Sequence, residues 1–146
     1  MKFVVYLAGH VHGDWREELI AEVEKRDLPF EFVYPQTDHD LSDAIGENIL
    51  GEQPGDYYRD EAASAVNNFR TNVLMERADI VVALFGDKYR QWNTAMDATT
   101  AINKNKPLII IRPEGLIHAM KELSNKANVT VSTMDQAVDV LEYVIK

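Results

Sequence analysis

The chain has 146 residues, 46% of them hydrophobic and 27% charged, and 24 acidic against 15 basic side chains leave a net charge of -9. That length buries a full core as a single domain over residues 1–146. The acidic balance argues against a nucleic acid polymer or an anionic membrane as main partner, because no surplus of Lys and Arg exists to neutralise phosphates.

The absence of cysteine excludes disulfides, thiolate catalysis and Cys-type zinc sites. No apolar run approaches the roughly 18 residues of a membrane span. The first run, Phe3 to Ala8, is too short for the core of a signal segment. A cytoplasmic location is the expectation.

In chain order, Lys2 to Ala8 reads as a buried strand ended by Gly9. Asp14 is placed to cap a helix through Arg26, with Trp15, Leu19, Ile20 and Val23 on one face. Phe30 to Tyr34 is a second strand, stopped by Pro35. Gln36 to Tyr58 is polar and long for a loop, so a short helix is expected within it, at Leu41 to Leu50. Asp60 to Arg77 reads as a helix, with Ala62, Val66, Phe69, Val73 and Leu74 spaced three or four apart.

Ile80 to Phe85 and Leu108 to Ile111 are strand-length apolar runs flanking a helix at Thr94 to Asn103. Strand, helix, strand in this span is a βαβ unit, which requires parallel pairing and a right-handed crossover. Gly115 to Lys126 reads as a helix and Val129 to Ser132 as a short strand. Thr133 caps a last helix with Ala137, Val138, Leu141 and Ile145 inward.

Five strands alternating with helices predict a three-layer α/β fold: a flavodoxin/Rossmann-like parallel sheet of order 2-1-3-4-5 with helices on both faces. Ligands of such sheets bind beyond the carboxyl ends of the strands, at the switch point between the first and third. One cleft is therefore expected to be lined by Gly9, His10, Asp14, Gly86, Trp92, Asn93 and Asp97.

Several residues there carry chemistry. Thr94-Ala95-Met96-Asp97 fits a capping box, with Asp97 in the first helical turn. It also fits a carboxylate nucleophile kept ionised by that helix end. His10-Val11-His12 lies between Gly9 and Gly13. It fits metal chemistry less well than histidines flanking a ligand that the glycines let approach. Asp38-His39-Asp40 reads as a helix cap. Arg112 follows the fourth strand and could pair with a phosphate or carboxylate. Tyr57, Tyr58, Tyr89 and Trp92 are aromatics in polar stretches and could stack on a base. Neither G-x-G-x-x-G nor a P-loop occurs, so a dinucleotide or triphosphate fingerprint is absent; no cofactor is expected, and no metal, since the His10–His12 pair lacks a third ligand nearby.

The residues also carry a resemblance. Val5-Tyr6-Leu7-Ala8-Gly9, Ala78-Asp79-Ile80-Val81-Val82-Ala83 and the Asn93 to Pro107 segment ending in Lys106-Pro107 resemble, in order, the motifs of nucleoside 2-deoxyribosyltransferases. The chain looks most like the YtoQ branch of that superfamily.

The resemblance implies a nucleoside or nucleotide substrate, a homo-oligomer, and retaining glycosyl transfer or hydrolysis with Asp97 at the nucleophile position. Asp97 stands where that family has glutamate, Thr99 where it has glycine, Thr71 where it often has an aspartate, and Gln91 roughly where nucleotide-hydrolysing relatives have a serine. In this reading Asp14 or Asp87 protonates the leaving base. Tyr89 or Trp92 stacks on it, and Asn93 bonds the sugar. Gly9, Gly86, His10, His12 and Arg112 complete the site. The alternative is a non-catalytic module that binds a nucleotide or ADP-ribose-like ligand.

Overall fold

In the computed structural model, which describes residues 1–87 and 90–146, five strands form one parallel sheet of order β2-β1-β3-β4-β5. They are β1 (Phe3–Ala8), β2 (Phe30–Val33), β3 (Ile80–Leu84), β4 (Leu108–Ile111) and β5 (Val129–Val131). Every neighbouring pair is parallel, as the βαβ pattern requires. The helices are α1 (Trp15–Lys25), α2 (His39–Leu50), α3 (Asp56–Arg77), α4 (Trp92–Asn103), α5 (Lys121–Lys126) and α6 (Met134–Val144).

Strand alternation divides the core in two. Val4, Tyr6 and Ala8 of β1 join Val81, Ala83, Leu108 and Ile110 beneath α3, α4 and Met120. Val5 and Leu7 join Ile80, Val82, Ile109 and Ile111 beneath α1 and α6. Both sheet faces are covered, which is why β3 and β4 read as continuous apolar runs rather than alternating ones. Asp79 ties β3 to β1: its carboxylate accepts from the Val4 N–H at 2.8 Å, and its own N–H donates to the Val4 carbonyl at 2.8 Å.

Some boundaries differ from the sequence reading. α3 begins at Asp56, four residues before the predicted start, and its outer face carries Phe69 and Val73, 72% and 53% exposed. Ala62, Ala63 and Met75 are its buried residues. The helix predicted over Gly115 to Lys126 divides into a 3-10 turn at Glu114–Leu116 and the short α5. Ile145 is 41% exposed, beyond the end of α6. Thr133 caps α6 with Gln136 in a reciprocal capping box. Among the described residues, no helix is long and apolar enough to cross a membrane.

α2 packs on α3 as a helical hairpin. Gly46 makes this approach close: a Cβ there would stand 2.4 Å from backbone atoms of Ala62 and Ala63. Asn67 fixes the pair by donating to the Ser42 carbonyl and hydroxyl at 3.0 and 3.1 Å. Asp38 caps α2 by accepting from the Leu41 N–H at 3.1 Å.

Candidate functional site

The carboxyl end of β1 is built around Arg16, the second residue of α1 and 5% exposed. Its Nε and Nη2 reach the Leu7 carbonyl at 3.2 and 3.1 Å. Nη2 also reaches the Gly9 carbonyl at 2.8 Å, and Nη1 the His10 carbonyl at 2.6 Å. The guanidinium lies over the Trp15 ring at 4.6 Å, and Trp15 Nε1 donates to the same His10 carbonyl at 3.2 Å. Gly9 is required here, because a Cβ would come within 2.5 Å of the Trp15 ring. Burial pushes the Arg16 pKa down to about 10, so the group is charged at neutral pH.

Asp97 lies opposite, on α4. That helix begins at Trp92, with Gln91 at the N-cap position and no acidic residue in its first turn. The capping box expected at Thr94 and Asp97 is absent. Thr94 lies inside the helix and is buried, and Asp97 is the sixth helical residue. Asp97 is therefore beyond the first turn, where the pull of the helix end is concentrated. The start moved because Gln91 folds its amide back on Gly86, accepting from its N–H at 2.9 Å and donating to its carbonyl at 2.5 Å.

Asp97 is 8% exposed. Its Oδ2 accepts from the Tyr6 hydroxyl at 3.5 Å. Burial raises the Asp97 pKa to about 6, opposed by the Tyr6 hydrogen bond and the Arg16 charge. Burial, then the neighbouring Asp97 charge, also holds the Tyr6 hydroxyl well above its ordinary range, so Tyr6 stays a neutral donor.

Asp97 and Thr71 border a cavity of about 650 Å³, within the range of small-molecule sites. Gly9, His10, His12, Trp92, Asn93 and Asp97 all line it. Trp92 is 75% exposed. The opposite wall is the α2–α3 hairpin, through His39, Asp43, Asp60, Asn67, Arg70 and Thr71. The rings of His12 and His39 lie 5.9 Å apart across the opening, and His39 Nε2 is 3.3 Å from Asp43 Oδ2.

Other sequence candidates lie elsewhere. Asp14, Gly86, Asp87 and Arg112 do not line this cavity. Asp14 is exposed at the N-cap position of α1 and its side chain makes no capping bond. Asp87 is turned toward Gly115, after β4. Arg112 donates to Ser124 Oγ at 3.1 Å. Tyr57 and Tyr58 pack edge to face at 5.2 Å on α3, outside the cavity. Tyr89 lies outside the described residues. Thr99 is exposed and donates to the Ala95 carbonyl at 2.8 Å. Among the described residues, no three His, Asp or Glu side chains converge to hold a metal ion.

Sequence reasoning missed Tyr6, Arg16 and the hairpin wall. Two signals were there: a tyrosine hydroxyl inside an otherwise apolar strand, and a cation next to Trp15 at the start of an amphipathic helix.

Comparison with known proteins places this geometry among relatives. Residues 6–145 match the model of a family described as nucleoside 2-deoxyribosyltransferase YtoQ. An uncharacterized protein YtoQ of Bacillus subtilis (strain 168) is 58% identical over 146 residues, covering 100% of this chain and 99% of that one. Two solved structures share the fold. A conserved protein from Enterococcus faecalis V583 superposes with a TM-score of 0.65 at 13% identity, covering 98% of this chain and 99% of the other. A 2-deoxyribosyltransferase from Bacillus psychrosaccharolyticus gives a TM-score of 0.56 at 20% identity, covering 92% and 89%.

Proposed function

The chain belongs to the nucleoside 2-deoxyribosyltransferase YtoQ family, and from that premise we propose that it cleaves or transfers the N-glycosidic bond of a nucleoside or nucleotide, with Asp97 as nucleophile. The observation that carries this reading is a buried carboxylate, held by the Tyr6 hydroxyl, at the wall of a cavity beyond the carboxyl end of β1.

In the proposed reaction an Asp97 oxygen bonds to C1′ as the C1′–N bond breaks. The transition state has oxocarbenium character, and the product is a glycosyl ester of Asp97. A second base then takes the sugar, or water hydrolyses the ester. The departing base needs a proton at its nitrogen. Asp14 and Asp87 stand outside the cavity, so this duty passes to its wall, where His10, His12, His39, Asp43 and Asp60 are the titratable candidates. Trp92 at the rim supplies a face for the base, and Asn93 a hydrogen-bonding group for the sugar.

The test is release of free base from a panel of nucleosides and 5′-nucleotides, with and without an acceptor base. Wild type releases base and Asp97→Asn releases none while staying folded. Asp97→Glu, longer by one methylene, retains or raises the rate. Binding of a nucleotide by wild type without release of base would replace this reading with a binding module.

A further inference from the structure

We propose that Arg16 is the positioning residue of this site: its guanidinium fork holds the backbone leaving β1 so that Gly9 and His10 stand as one wall of the cavity. Its effect on KM rests on the functional reading above; its effect on the backbone does not.

The geometry is unusual for an arginine. The group is nearly inaccessible, yet its hydrogen bonds run to the carbonyls of Leu7, Gly9 and His10 rather than to a carboxylate. Burying a cation without a bonded anion is costly. What it gains is satisfaction of carbonyls released where β1 ends and the chain turns toward Gly13. Only a planar fork with several N–H groups reaches three carbonyls at once. Lysine presents one nitrogen on a flexible stem.

The experiment compares wild type with Arg16→Lys and Arg16→Met. Both variants lose the fork, so amide exchange in residues 9–13 is expected to accelerate. KM is expected to rise more than kcat falls in Arg16→Lys, because the wall loses its hold while Asp97 stays in place. Unchanged exchange at residues 9–13 in Arg16→Lys overturns the clamp, and that variant decides alone if Arg16→Met does not fold. The exchange reading needs no turnover. If wild type releases no base while exchange moves as expected, the glycosyl-transfer reading falls and Arg16 keeps its role.

Discussion

Burial that raises the Asp97 pKa from 3.8 to about 6 acts on stability as well as chemistry. Between those values the native protein holds a proton at Asp97 that the unfolded chain has lost. Native binding of more protons means that stability falls as pH rises through this window. Below about pH 4 both states are protonated and the penalty vanishes; above about pH 6 it is complete, on the order of 3 kcal/mol. Asp97→Asn keeps the shape and an acceptor for Tyr6 but cannot ionise. It is therefore expected to stabilise the protein by roughly 1–3 kcal/mol at pH 7.5 and by little at pH 4. Chemical denaturation at the two pH values checks this. A capping role would have given the opposite sign, a loss of about 0.5–1 kcal/mol at neutral pH. The same titration sets the acid limb of the rate profile: base release should increase with pH through about 6, as the nucleophile ionises. A rate flat from pH 5 to 8 would separate Asp97 from the reaction.

Helices α2 and α3 form the wall facing Asp97, and their approach depends on Gly46. In an isolated helix, alanine in place of glycine stabilises by about 1 kcal/mol. Here the added Cβ would meet the Ala62 and Ala63 backbone at 2.4 Å, and backbone cannot rotate aside. The hairpin must open, and overpacking of this kind costs roughly 1–3 kcal/mol. Gly46→Ala is therefore expected to lower the denaturation midpoint and weaken ligand binding, because Asp43 and Asn67 move with the wall. A rise in stability would show that the helices have slack. The strands and their order were legible in the sequence because apolar runs such as Ile80 to Leu84 leave a parallel, doubly covered sheet as the economical answer. The α2–α3 wall was not legible, because its contacts are polar or made by glycine, and neither has a period. The start of α4 was misplaced for a related reason. Thr94 and Asp97 have the spacing of a local cap, while the bonds from Gln91 to Gly86 leave no pattern. Tyr6 was hidden because its partner Asp97 is distant in the chain, and Arg16 because its partners are backbone carbonyls, which leave no mark in the sequence.

At the scale of the whole molecule, the face of α3 turned from the sheet is what the fold leaves unexplained. Phe69 and Val73 are exposed there, four residues apart, in a shallow depression bordered by Asn72, Glu76, Arg77 and Lys104. Single exposed apolar residues are ordinary. This pair differs in two respects. It sits at helical spacing on a 22-residue helix, and charges of both signs rim it, with Glu76 and Lys104 paired at 3.0 Å. Neither side chain belongs to either core, so the fold does not depend on them. Phe69→Glu is therefore expected to leave stability within about 0.5 kcal/mol of wild type, because Phe69 is 72% exposed and Val73 beside it 53%. Chemical denaturation checks this. A loss of several kcal/mol would show that the outer face of α3 carries packing that its exposure hides.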